Sequence, residues 1–269
     1  MKFNEYKYEH LDLEKIKKEF SELIKSFEKA ENVEGQVNAF DEIIKLRNHI
    51  ETMQTLVSVR HSIDTNDEFY DKENEYMDEI SPILFGFTND FYKALVNSKF
   101  KDELVKKYGK FLFDLAENTL KTFSPEIIPD AQEENRLSSK YSKLIASAKI
   151  DFDGKELNLS QMVPYTQSKD RNVRIEAAKK VAQFFSENQD KFDNIYDSLV
   201  KVRTRMAQKM GYKNFVEFGY KQLSRLEYDA KMVEGYRKQV LENIVPLHTE
   251  LRERQGKRLG VDKLKFYDE

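Results

Sequence analysis

Apolar residues recur at every third or fourth position over most of the chain, which is the period of an amphipathic helix. One periodic stretch covers residues 13–27 and a second covers 37–57. The second helix should end at 64–67, because the Asp, Thr and Asn side chains there compete for helical backbone hydrogen bonds. A third helix follows from Glu68, and the periodicity returns over 104–123. These stretches predict four or five antiparallel helices.

Prolines interrupt the helical pattern at three places. Pro82 is predicted to kink or restart the third helix, because proline removes one backbone donor. Pro125 and Pro129 exclude a continuous helix across their segment, so a new helix is predicted to start near Ala131. Pro246 is predicted to kink the last long helix.

The period changes from 3.6 to 2 only around Asp153 and Gly154. Alternating segments at 150–152 and 156–159 flank this pair, and Asp-Gly between alternating segments predicts a hairpin with a type I′ turn. An isolated two-stranded hairpin is marginal in water, so it should pack on helices.

Helical periodicity resumes after residue 170 and continues to about residue 206. Gly211 is predicted to end that helix, and a short helix follows it. Asp229 is a candidate N-cap for a last long helix that ends near Gly256 or Gly260.

Composition supports a mostly all-α fold with one small β-hairpin near 148–160. The 269 residues include only 9 Gly and 5 Pro, too few for the many tight turns of a β-sandwich or barrel. Charged residues make up 35% and aromatic residues 12% of the chain, which fits long helices with one apolar stripe and a charged back.

Charge and cysteine content exclude several classes of function. The 45 Lys and Arg nearly balance the 48 Asp and Glu, so there is no basic excess for nucleic acid. The absence of cysteine excludes disulfides, thiolate zinc sites and cysteine nucleophiles. The N-terminus lacks the apolar region of a signal peptide, and no apolar stretch is long enough to span a membrane. We therefore expect a cytoplasmic protein that binds neither nucleic acid nor membrane.

The four histidines, His10, His49, His61 and His248, do not form a recognisable metal motif. His49 and His61 are twelve residues apart on one predicted helix, which separates them by roughly 18 Å. None of the four has the His-Glu-x-x-His context of a zinc peptidase helix. The sequence therefore assigns no catalytic and no metal-binding residue within this chain.

Two basic or aromatic clusters allow two interpretations each. Arg171 and Arg174 could grip an anionic ligand, or they could pair with nearby carboxylates while Ser168 or Asp170 caps their helix. We favour ion pairs, because arginine in a first turn opposes the helix dipole. Tyr212 could reach a ligand, but a packed aromatic side chain is the simpler interpretation.

Several ordered segments together resemble one family. They are DTNDEFY at 64–70, FYKALVNS at 91–98, QEENRLSS at 132–139, the hairpin at 150–159, and the segments 168–174, 211–218 and 230–264. In this order they are similar to the oligoendopeptidase F group of the M3 (thimet-oligopeptidase-like) zinc metallopeptidases, over essentially the whole chain.

The resemblance implies a mostly helical, elongated, bilobed peptidase that cleaves short peptides inside a narrow channel. It also implies a zinc ion held by two His and one Glu, with the Glu of the His-Glu-x-x-His helix acting as general base toward the metal-bound water. This chain is expected to cover the N-terminal half and to stop before that zinc helix. We therefore expect zinc to be bound by residues that this chain lacks, and the chain alone to be inactive.

The resemblance implies three parts: an N-terminal helical domain at 1–123, a linker helix with the hairpin at 124–168, and the helical start of the peptidase domain at 169–269. Asp153, Gly154, Tyr212 and Asn214 are the candidate residues lining one wall of the substrate channel. The expected partners are short peptides and a C-terminal catalytic half.

The last predicted helix carries more apolar residues than a terminal surface helix needs, which predicts an exposed apolar patch there. Two alternatives remain open from the sequence. The chain could be a stand-alone helical module that binds peptides or proteins, or one half of a split peptidase.

Overall fold

The computed structural model describes residues 2–268, which form two compact units. The first unit contains residues up to 140 together with 197–226, and the second contains 141–196 together with residues from 227 onward. The earlier division into 1–123, 124–168 and 169–269 stays a prediction.

The chain is mainly α-helical, as predicted. Its α-helices in chain order are α1 (Leu13–Lys29), α2 (Val33–Ile63), α3 (Glu68–Val96), α4 (Lys101–Tyr108), α5 (Lys110–Thr119), α6 (Ile128–Ala146), α7 (Leu159–Thr166), α8 (Arg171–Glu187), α9 (Gln189–Lys209), α10 (Phe215–Gln222), α11 (Ala230–Gln239) and α12 (Val245–Leu259). The strands are β1 (Ile150–Phe152) and β2 (Lys155–Leu157). Short 3₁₀ turns cover Phe3–Glu5, Pro125–Ile127 and Phe266–Asp268.

The core of the first unit is built from the apolar stripes of its helices. Phe20, Phe27, Ile43 and Phe91 are fully buried, and the Phe91 ring packs edge-on against Phe27 with centroids 5.8 Å apart. The boundary at 64–67 is confirmed: α2 ends at Ile63, and the Asp67 side chain accepts hydrogen bonds from the first backbone amides of α3.

Two helix boundaries in this unit need a physical explanation. Pro82 does not restart the third helix, because it lies inside α3, which continues to Val96; a kink at Pro82 stays a prediction. The prolyl nitrogen removes only one hydrogen bond, and buried Met77, Ile80 and Leu84 on either side hold the helix to the core. By contrast, the periodic stretch 104–123 is divided by Gly109, whose positive φ of +86° separates α4 from α5.

Helix α6 begins at Ile128, earlier than the predicted start near Ala131. Pro129 therefore lies in the first turn, where backbone amides have no intrahelical acceptor and proline is tolerated. The segment before it is a 3₁₀ turn over Pro125–Ile127, so no continuous helix crosses both prolines.

The second unit contains the hairpin. Strand β1 pairs antiparallel with β2, and both turn residues have positive φ, +53° at Asp153 and +69° at Gly154. Residues of both strands, α7 and α8 share one small core, which includes Ile150, Leu157 and Met162. The second strand spans Lys155–Leu157 rather than 156–159, because Asn158 leaves the strand to cap α7.

The last long helical segment starts after the predicted cap, Asp229, whose side chain accepts a hydrogen bond from the backbone amide of Met232. A π-helical turn over Val240–Ile244 separates α11 from α12, immediately before Pro246. The missing prolyl donor explains why the regular hydrogen-bond ladder changes there. Gly260, with φ +67°, forms the left-handed C-cap. Within residues 2–268, no helix is long and apolar enough to cross a bilayer.

Candidate functional site

Asp153 and Gly154 form the exposed tip of the hairpin. The Asp153 carboxylate accepts a hydrogen bond from the Tyr165 hydroxyl at 3.0 Å, and the Tyr165 ring packs edge-on against Phe152. The hydrogen bond to Asp153 raises the pKa of Tyr165 above its ordinary value. The tip is therefore a fixed and solvent-facing feature of the second unit.

Tyr212 and Asn214 belong to the first unit, so the structure does not group all four predicted residues in one unit. The Tyr212 ring packs against Phe218, and its hydroxyl donates to the backbone carbonyl of Lys121 at 3.0 Å. Burial, with a smaller effect from Glu217, raises the pKa of Tyr212. The packed interpretation of Tyr212 is thus confirmed.

Asn214 has a clear local role at the start of α10. Its side-chain oxygen accepts a hydrogen bond from the backbone amide of Val216 at 2.9 Å, which makes it the N-cap. Gly211, with φ +82°, stands between α9 and this cap, as predicted for a C-cap glycine. The position of Tyr212 and Asn214 in a channel wall stays a prediction.

The two arginines at the start of α8 share one buried carboxylate, Asp268. Arg171 binds it through Nε at 2.8 Å and Nη2 at 3.0 Å, and Arg174 Nη2 lies 3.2 Å from its Oδ1. The Asp268 side chain has no exposed surface. The hydrogen bonds from Arg171, followed by those from Lys265 and Arg174, hold the pKa of Asp268 well below its usual range.

This arrangement decides between the two interpretations of Arg171 and Arg174. Both guanidinium groups are bound to a carboxylate of the same unit, so the ion-pair interpretation is confirmed. Asp170 caps the helix by accepting from the Asn172 amide. The sequence did not single out Asp268 as the partner, because no spacing rule links residues almost one hundred positions apart.

The histidines are engaged in separate local interactions or are exposed. His10 Nδ1 lies 2.9 Å from a carboxylate oxygen of Glu73, and the buried His61 lies 3.0 Å from Asp71. His49 and His248 are exposed. Among residues 2–268, no three His, Asp or Glu side chains are grouped so that they could hold a metal ion.

Sequence profiles of one family match most of the chain. The Peptidase M3 N-terminal domain matches residues 3–123, and Peptidase family M3 matches residues 164–269. The chain belongs to peptidase family M3. Among curated proteins, no sequence matches it.

Solved structures of several peptidases share this fold. The chain is 52% identical to PZ peptidase A, solved with an inhibitor, with a TM-score of 0.97 over 99% of this chain and 48% of that one. It is 48% identical to a protein from Bacillus anthracis assigned as oligoendopeptidase F, with a TM-score of 0.97 over 100% of this chain and 49% of that one. An oligoendopeptidase F from Enterococcus faecium, 18% identical, shares the fold with a TM-score of 0.69 over 95% of this chain and 53% of that one.

This M3 chain therefore spans about half the length of the solved structures that it matches. Its segment α11–α12 carries large apolar side chains that are half or more exposed. These residues, which we call the apolar face, are Met232, Tyr236, Leu241, Ile244, Leu247 and Leu251. The exposed apolar residues predicted for the last helix are confirmed.

Proposed function

We propose that this chain is the N-terminal part of a zinc-dependent oligoendopeptidase that hydrolyses peptide bonds in short peptides. One observation carries the proposal: the chain matches about half of PZ peptidase A at 52% identity and a TM-score of 0.97. Agreement at that level over 99% of this chain supports a shared role for the shared half. In this proposal the chain forms one wall of the substrate channel.

The zinc site belongs to the other half in this proposal. The ligand set implied by the family is two His and one Glu, and residues 2–268 do not fit it, because His10 and His61 are each engaged with one carboxylate and no third ligand lies near. When bound, zinc would activate a water molecule for attack on the peptide bond. The residues of this chain would bind and orient the peptide instead.

The exposure of the apolar face supports the proposal that a second half of the protein packs against it. Tyr236, Leu241 and Leu251 are each more than half exposed, although residues of this size are usually buried when they follow a helical period. We propose that the C-terminal catalytic half covers this face. The proposed partners are therefore short peptides and that half, and the proposed location is the cytoplasm.

Reading the source gene beyond codon 269 is the first test. A continuing frame that encodes His-Glu-x-x-His, followed by the third ligand, supports the proposal. An immediate stop codon would instead support the stand-alone binding module or the split peptidase.

Activity measurements then separate these cases. The full-length protein should bind one zinc per chain and cleave a quenched fluorescent peptide, whereas residues 1–269 alone should do neither. Restoration of cleavage after mixing residues 1–269 with a separately expressed second half would support the split peptidase, and no change on mixing would support the stand-alone binding module. A zinc-loaded full-length protein that cleaves no peptide refutes the proposal.

The channel wall is tested at the hairpin tip in the full-length protein. Asp153→Arg reverses the charge at an exposed turn, so it should change KM for acidic relative to basic peptides. Glu28→Arg makes the same charge change on an exposed position of α1 and serves as the matched control. If the two variants change the KM ratio for acidic and basic peptides equally, Asp153 does not line the proposed channel wall.

A further inference from the structure

A cleft of about 330 Å³ lies within the first unit, between α1, α2, α3 and α5. Its apolar walls include Phe20, Ile50, Leu84 and Leu115, and polar or charged side chains also line it, among them Glu51, Gln54 and Thr119. One cationic side chain, Arg47 of α2, also lines it. A cleft of this size that combines apolar walls with a charged group has the general character of a small-molecule site.

Arg47 is poorly satisfied by its protein neighbours. Its Nη1 lies 3.3 Å from the Tyr92 hydroxyl, and its Nη2 lies 3.4 Å from a carboxylate oxygen of Glu51. Its Nε is out of contact with solvent and has no hydrogen-bond partner. Both existing bonds are long for a guanidinium group, whose bonds to carboxylates are typically 2.7–2.9 Å.

Other arginines of this chain show what full pairing looks like. Arg205 Nε lies 2.6 Å from Asp130, Arg203 Nε lies 2.6 Å from Glu134, and Arg171 holds Asp268 with two bonds of 2.8 and 3.0 Å. Within residues 2–268, Arg47 has no carboxylate at such a distance. Nη1 and Nη2 each carry two N–H groups and each makes one bond, so each terminal nitrogen of this cleft-lining side chain has one N–H left for a further acceptor.

We infer that this cleft binds a small carboxylate that has an apolar body. The carboxylate accepts hydrogen bonds from the terminal nitrogens of Arg47, whose planar fork matches its two oxygens. The apolar body lies against Phe20, Leu84 and Leu115. The ligand carboxylate replaces Glu51 at Arg47 Nη2, and the Glu51 side chain, which is already 62% exposed, is then solvated by water.

This ligand chemistry has two sources, a free acid or the C-terminal carboxylate of a peptide. The inference does not depend on the proposed peptidase activity, because Arg47 and the cleft lie entirely within residues of the first unit.

Calorimetric titration of the 269-residue chain with hexanoate and with hexan-1-ol tests the inference. Hexanoate should bind, and the alcohol, which has the same tail without the charge, should bind at least about tenfold more weakly, equivalent to about 1.4 kcal/mol. Arg47→Met should weaken hexanoate binding by a similar factor. Lys45→Met removes an exposed charge from the same helix and should leave binding unchanged.

A second variant keeps the test decisive if Arg47→Met fails to fold. Leu115→Phe fills part of the cleft and leaves the guanidinium in place, so it should abolish hexanoate binding. Titration with acetyl-Leu-Leu and with its C-terminal amide then distinguishes the two sources, since only the free carboxylate of the peptide should bind. Absence of hexanoate binding, equal binding of the alcohol, or full binding by Arg47→Met overturns the inference.

Discussion

Asp130 is the clearest place to test how ion pairs stabilise the first unit. This buried carboxylate on α6 accepts hydrogen bonds from Arg205 Nε at 2.6 Å and from Lys209 Nζ at 2.5 Å, both on α9. Burial alone would raise the pKa of Asp130, but the hydrogen bonds from Lys209 and Arg205 outweigh it and hold the pKa below its usual range. Asp130→Asn keeps the shape of the side chain and removes its charge.

The expected loss follows from the geometry. In the variant, one oxygen becomes an amide NH₂ group that faces a cation, so one charged hydrogen bond is lost. Such bonds contribute about 1.5–3 kcal/mol. Arg205 and Lys209 are 43% and 37% exposed and regain water, so we expect the lower end, about 1.5 kcal/mol of unfolding free energy.

Urea unfolding followed by far-UV circular dichroism measures this loss. Glu133→Gln is the matched control, because Glu133 also contacts Arg205 but its side chain is 44% exposed, and the change should cost less than about 0.5 kcal/mol. Since folding lowers the pKa of Asp130, its contribution is complete above about pH 3.9 and is lost as the pH falls through the lowered value. Equal losses of unfolding free energy in the two variants at pH 7 would refute this reasoning. So would a stability difference between the unmodified chain and Asp130→Asn that does not decrease as the pH falls.

Three further predictions concern the turn, the core and the apolar face. Gly154→Ala should destabilise the chain by about 1–2 kcal/mol, because φ at this position is +69°. Gly235→Ala in α11 should instead stabilise it by up to about 1 kcal/mol, because alanine favours the helix more than glycine does. The melting temperatures of the two variants should shift in opposite directions, and shifts in the same direction would contradict this prediction. Gln36→Ala leaves the Phe27 carbonyl without its buried donor and should cost about 1–3 kcal/mol in urea unfolding; an unchanged midpoint would argue against it. Leu251→Lys should lower the fluorescence of bound anilinonaphthalene sulfonate without changing the melting temperature, and undiminished fluorescence would count against the apolar face.

Features set by short-range chemistry could be predicted from the sequence. Asp67 and Asp229 cap the helices that follow them, and the Asp153–Gly154 pair adopts the two positive φ values that a type I′ turn requires. Each depends on residues within about four positions, so a local pattern is sufficient. Pro246 likewise indicated the irregular π-helical turn over Val240–Ile244, because the missing proline donor acts on its own neighbouring residues.

Features that depend on distant residues could not be predicted in this way. Pro82 reads locally as a helix break, but tertiary packing on both sides keeps α3 continuous. Arg171 needed an acidic partner, yet its identity, Asp268, follows only from the fold. The incomplete hydrogen bonding of Arg47 could not be predicted from the sequence, because it depends on which side chains surround Arg47 in the folded cleft. Of the four predicted wall residues, Tyr212 has the packing role that the sequence analysis favoured, whereas the capping role of Asn214 was found only in the structure.

The second unit is discontinuous in sequence, which has a consequence for its assembly on the ribosome. Its small apolar core uses residues between Ala148 and Phe192 and can form early. The carboxylate that binds Arg171 and Arg174 is translated about 70 residues after Tyr196, a delay on the order of 4–14 s at 5–20 residues per second. The nascent chain thus holds Arg171 and Arg174 without their carboxylate partner until Asp268 is translated, and the ion pair is added to a core that already exists.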